Sequence, residues 1–109
     1  VPLAAGGIVC ESLGVDKEKM VMKYFAALLR MLDPTKSQDL RERHIEFLEQ
    51  KAKEGRIFAR GRFTDGAGGL VIYMAESLED ARKIAESDPY ISSGARSLEI
   101  HEWDMKLPQ

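Results

Sequence analysis

Arg56-Ile57-Phe58-Ala59-Arg60-Gly61-Arg62-Phe63-Thr64-Asp65-Gly66-Ala67-Gly68-Gly69-Leu70-Val71-Ile72-Tyr73-Met74-Ala75 reads as two strands joined by a turn. In the first, Ile57, Ala59, Gly61 and Phe63 alternate with Arg56, Phe58, Arg60 and Arg62, the period-two pattern of a strand with one apolar and one mixed face. Thr64 to Gly69 holds the glycines and the aspartate of a turn. Leu70 to Ala75 is continuously apolar, as a more buried partner strand should be. On either side of this hairpin the period changes. Ser37 looks like an N-cap for a helix running to about Lys53 and closed by Gly55, with Leu40, Ile45, Phe47, Leu48 and Ala52 on one broad face. Ser77 opens a second helix, with Asp80 three residues on, that ends near Ser87. Further out, Lys23 to Met31 is a short apolar run ended by Asp33-Pro34; its length and Tyr-Phe start favour a strand, while its Ala and Leu leave a helix open. Ser97 to Met105 reads as a last strand after an irregular piece around Ser92-Ser93-Gly94.

The order is β-α-β-β-α-β, the ferredoxin-like split unit: an α+β fold with a four-stranded antiparallel sheet and two helices on one face. The assigned parity puts Tyr24, Phe58, Tyr73 and Trp103 on the other face. That much aromatic surface is expected to be covered by a second copy, sheet against sheet, as a homodimeric α+β barrel.

The chain has 109 residues, 44% hydrophobic and 31% charged, which fits one globular domain of about 100–150 residues. Its formal net charge of −2 argues against nucleic acid as a partner, and no polybasic cluster would hold it to a membrane. Cys10 is the single cysteine, so no intramolecular disulfide or cysteine zinc site forms, and a cytoplasmic setting is expected. Residues 1–21 carry no clear period, and Gly6-Gly7 and Gly14 interrupt them. They are read as an N-terminal extension outside the domain proper, which takes in residues 22–109 from Met22 onward.

Among residues that carry chemistry, His44 stands out because it projects within the apolar face of its helix. An imidazole takes and gives protons near neutrality; the other reading is a core histidine satisfied by a neighbour. Arg41, one helical turn earlier, suits an anion clamp or a surface ion pair. Arg60 and Arg62 alternate with apolar residues and are expected to face the space between two sheets, where they would bind a carboxylate or phenolate, or else to protect an edge strand by charge. Ser93 beside Gly94 is a pocket hydroxyl or a loop serine. Asp88, before Pro89, has the form of a residue capping a turn. His44 and His101 lie on different elements, so no metal site is indicated. Gly66 to Gly69 lacks the Lys-Ser or Lys-Thr of a phosphate loop, and Gly69-Leu70-Val71-Ile72-Tyr73 lacks an RNA-binding signature.

Several pieces in order resemble the YciI-like family. Met22-Lys23-Tyr24-Phe25 is similar to its chain start, and Leu40-Arg41-Glu42-Arg43-His44-Ile45-Glu46-Phe47-Leu48 to its first helix. Glu54-Gly55-Arg56-Ile57 with Gly61 is similar to its second strand, and Glu76-Ser77-Leu78-Glu79-Asp80-Ala81 to its second helix start. Asp88-Pro89-Tyr90 followed by Gly94 resembles its most recognisable signature. The resemblance implies a small dimeric α+β barrel, related to barrels of the muconolactone isomerase type, with a His-Asp pair that falls here on His44 and Asp88. It also implies, through a dehydrochlorinase acting on a chlorinated hydroxyhydroquinone, a cofactor-independent lyase or isomerase for a small cyclic or phenolic compound. In that reading Arg41, Arg60 and Ser93 hold the substrate. The alternative is a dimeric barrel that binds a small ligand without chemistry.

Overall fold

Asp33-Pro34 sets the first departure from sequence expectation. In the computed structural model, which describes residues 22–108, strand β1 (Lys23–Met31) ends just before it. Asp33, not Ser37, is the helix cap: its carboxylate accepts from the Lys36 backbone N–H at 3.1 Å, and Pro34 takes the first helical position, where its missing N–H costs nothing. The helix expected to be capped by Ser37 and to run to Lys53 therefore starts four residues earlier and is split. A short helix α1 (Pro34–Asp39) stops at Leu40, and α2 (Arg41–Lys53) resumes at once. Ser37 is buried, with its hydroxyl 3.2 Å from the Met31 sulfur.

Gly55, at φ 78°, closes α2 in the left-handed conformation that favours glycine. It leads into β2 (Ile57–Arg62), which pairs with β3 (Gly68–Ala75). The Ser77 hydroxyl caps α3 (Leu78–Glu86) by accepting from the Asp80 N–H. The piece between α3 and the last strand is not irregular but a single helical turn, α4 (Pro89–Ser92), capped by Asp88. Strand β4 (Arg96–Trp103) begins one residue earlier and ends two residues earlier than its sequence suggests, because Arg96 still pairs with Met31.

The sheet has the order β2-β3-β1-β4 with every pairing antiparallel, and so keeps the expected β-α-β-β-α-β path. The barrel expectation is corrected. The sheet is open and not closed into a barrel, because β2 and β4 are its edges and do not pair with each other.

Helices cover one face, and there the core forms. Phe25, Ala27 and Leu29 of β1, Val71, Tyr73 and Ala75 of β3 and Ile100 of β4 pack with Leu48 of α2, Ala81 and Ala85 of α3 and Tyr90 of α4. Tyr73 thus belongs to the helix-covered face, opposite Phe25, and not to the open one; it is fully buried. The open face carries Tyr24 packed edge-on against Phe58, ring centroids 5.1 Å apart, with Trp103 paired to Tyr24 across the strands.

A bulge in β2 explains a further departure. Ile57 pairs with Tyr73 and Ala59 with Ile72, so Phe58 is the extra residue and the parity of the strand switches there. Arg60 and Arg62, opposite Val71 and Gly69, consequently lie on the helix side of the sheet, not in a space between sheets.

Among the described residues no helix is long and apolar enough to cross a membrane. The N-terminal extension inferred for residues 1–21, with Cys10, lies outside the described residues.

Candidate active site

Asp88 occupies the cap position of α4 because Pro89 follows it, fixing the first helical residue and leaving the Tyr90 N–H to be satisfied. Its Oδ1 accepts that N–H at 2.9 Å. The same oxygen lies 2.8 Å from Nδ1 of His44, brought in by the first turn of α2. The aspartate side chain is fully buried and the imidazole is 13% exposed. A carboxylate only accepts, so the hydrogen of the neutral ring sits on Nδ1 and Nε2 remains the basic nitrogen. The imidazole also stacks on the Tyr90 ring, centroids 3.9 Å apart and planes 18° from parallel, so one carboxylate and one aromatic face fix its orientation.

The opposite wall of the site comes from the sheet. A cavity of about 610 Å³ lies between α2 and the β2–β3 end of the sheet, lined by Arg41, His44, Arg60, Arg62, Tyr90 and Arg96 among others. Gly69 keeps it open: a side chain there would meet the Gly61 carbonyl at 3.0 Å and the Arg96 guanidinium at 3.6 Å. Arg96 is held by two contacts. Its Nε donates to the Ser37 hydroxyl at 3.4 Å, and its guanidinium carbon sits 4.2 Å from the centre of the Tyr90 ring. Burial raises the Tyr90 phenol above its ordinary range, partly offset by the positive charges of Arg96 and Arg41, so the ring is a neutral hydrogen-bonding group at physiological pH.

Behind the pair, Oδ2 of Asp88 and the hydroxyl of Tyr73 are buried with no hydrogen-bond partner among the described residues. Burial, with the Asp88 charge adding to it, pushes the Tyr73 phenol far up.

Of the residues singled out in the sequence, the structure brings His44 and Asp88 into contact and places Arg41 and Arg60 on the same cavity as His44. It does not bring Ser93 there. The Ser93 hydroxyl accepts from the Ala95 N–H at 3.2 Å and faces the Tyr90 carbonyl, the work of a loop serine. His101 is on the open face beside Glu99, 2.8 Å away. Sequence reasoning missed Arg96 and the stacking role of Tyr90. Arg96 is in phase with Leu98 and Ile100, and a charged residue in register with core positions was the available signal. No group of three or more histidine, cysteine, aspartate or glutamate side chains comes together among the described residues.

An open four-stranded α+β sheet carrying a buried His-carboxylate pair at the edge of a cavity defines a small protein built to hold one imidazole in a set tautomer. The chain belongs to the YCII-related domain family, which it matches over residues 16–104. It is 41% identical over 63 residues to the uncharacterized protein YjpA of Bacillus subtilis (strain 168), covering 58% of this chain and 74% of that protein. In fold it is similar to 5-chloro-2-hydroxyhydroquinone dehydrochlorinase (TftG) from Burkholderia phenoliruptrix AC1100, solved in complex with 2,5-dihydroxybenzoquinone. The TM-score is 0.64 at 19% identity, covering 76% of this chain and 95% of that one.

Proposed function

We propose that the protein is a lyase or isomerase that works without a cofactor on a small cyclic or phenolic compound, with His44 as general base and then general acid. The observation that carries this reading is the 2.8 Å contact between His44 Nδ1 and a fully buried Asp88. Nε2 takes a proton from a carbon next to a carbonyl or an electron-poor ring. The imidazolium that forms is stabilised across the Nδ1–H···Oδ1 hydrogen bond, where Asp88 orients the ring and stays ionised. In an elimination the C–H electron pair becomes the new double bond, and the leaving group departs with the electrons of its own bond. In an isomerisation Nε2 returns the proton to a different carbon. Apart from the departure of the leaving group in the elimination, both outcomes need only proton movement. Arg41 and Arg60 are assigned to holding the substrate; Ser93 is not. Likeness to a dehydrochlorinase solved with a quinone lends the reading support.

The test is solvent deuterium exchange into a panel of hydroxyquinones, chlorinated hydroquinones and cyclic enones, followed by NMR. His44→Ala is expected to lower exchange by about 10²- to 10⁴-fold while still binding the compound. Exchange at the wild-type rate in that variant refutes the acid–base role. Tight binding with no exchange by the wild type supports the ligand-binding alternative.

A homodimer belongs to the same proposal. Phe58 and Trp103 on the uncovered face are 43% and 44% exposed, and a second copy would shield them.

A further inference from the structure

Four guanidinium groups, Arg41, Arg60, Arg62 and Arg96, line the cavity that contains His44, and no carboxylate lines it. Composition does not explain this, since the chain as a whole is acidic at −2. Elsewhere among the described residues Lys23, Arg30, Lys51, Lys83 and Lys106 have a carboxylate within 4 Å, while Lys36, Arg43, Lys53, Arg56 and Arg82, which are scattered over the surface, do not. Among the described residues none of the four cavity arginines has one. The one acidic group nearby, Asp88, is buried behind His44 and engaged with it. Like charges gathered around one concave space repel one another, and an anion that enters it relieves the repulsion.

The four come from three elements. Arg41 of α2 lies one helical turn before His44, and Arg96 of β4, fixed by the Ser37 hydroxyl and the Tyr90 ring, has its guanidinium next to Gly69, the residue opposite Arg62. Arg60 and Arg62 are two residues apart on the helix-facing side of β2, roughly 6.6 Å along the strand, across the cavity from α2. Planar guanidinium groups match carboxylates two bonds at a time, and four of them around one cavity match two acid groups. The volume of about 610 Å³ suits a compound of one ring with short substituents.

We propose that the ligand of this cavity is an organic dianion: a small ring compound whose two acid groups are held by Arg41, Arg60, Arg62 and Arg96, with its ring beside His44. That this dianion is the substrate rests on the acid–base reading of His44; that it binds does not.

The experiment is calorimetric titration of the full chain with phthalate, isophthalate and terephthalate, against benzoate and benzamide as one-charge and neutral counterparts. At least one dicarboxylate is expected to bind about tenfold or more tighter than benzoate, with benzamide weaker still and affinity falling as salt rises. Arg62→Gln should reduce the dicarboxylate to the affinity of benzoate without changing benzoate itself, and Arg62→Lys should restore part of the difference. Arg96→Gln should weaken both acids. Equal affinity for the dicarboxylates, benzoate and benzamide, or no binding of any dicarboxylate at millimolar concentration, overturns the proposal. The same titrations in His44→Asn keep the two readings apart. Unchanged dianion preference with lost exchange supports both. Preserved exchange with preserved preference removes the acid–base reading and leaves the dianion site standing.

Discussion

One oxygen atom, Asp88 Oδ1, accepts from the Tyr90 backbone and from the His44 ring at once. Asparagine retains a carbonyl oxygen that can cap, but it lacks the charge that stabilises an imidazolium. Asp88→Asn should therefore melt close to the wild type, within about 1 kcal/mol, and lose about 10²- to 10⁴-fold in turnover. Asp88→Ala should lose turnover and cap together, and paired thermal melts and exchange rates separate the two variants. Tyr73 gives a second prediction. Its buried hydroxyl has no partner among the described residues, so Tyr73→Phe removes an uncompensated polar group and should leave stability at neutral pH unchanged or raise it by up to about 1 kcal/mol. Its phenol is raised above the unfolded value of 10.0 by burial and then by the Asp88 charge. Above pH 10 the unfolded tyrosine releases its proton and the folded one does not. Stability is therefore intact below pH 10 and falls as pH rises beyond it, by about 1.4 kcal/mol per pH unit from this group. Tyr90 adds a loss of the same sign. Melting curves from pH 9 to 11 should show a shallower decline for Tyr73→Phe; identical slopes would remove the burial argument.

Gly68 matters most among the elements. It starts β3 at φ 138°, and a side chain there would collide with the Leu29 backbone carbonyl on the neighbouring strand. Gly68→Ala combines backbone strain with a main-chain clash and should cost about 3 kcal/mol, read as a drop in the midpoint of urea unfolding. Most of the element order is legible in the sequence because patterning and caps agree with it: Gly55 and Ser77 stand where helix ends need them. What is not legible depends on distant partners. Asp33-Pro34 carries the signature of a helix start, yet Ser37 competes for it by residue type, and only burial against Met31 and Arg96 shows why Ser37 is committed elsewhere. The β2 bulge at Phe58 flips two arginines to the other face of the sheet, and a parity count along one strand has no means of detecting an inserted residue. His44 is readable as a candidate from its helix face. Asp88 is readable as a cap, but the contact joins residues 44 positions apart, and only the family resemblance paired them.

For the molecule as a whole, the proposed homodimer predicts a mass in solution. Light scattering after gel filtration should give twice the 12.2 kDa chain mass at micromolar concentration, and Phe58→Glu with Trp103→Glu should return it to a single chain. A monomeric wild type would remove the dimer. Of the pair at the site, one member has two employments and the other has one. A descendant relieved of its chemistry could exchange His44 freely, whereas the start of α4 would still require a short acceptor at position 88. Inheritance should therefore be lopsided. In the genealogy of such chains, an aspartate that outlives its histidine testifies to architecture, not to activity.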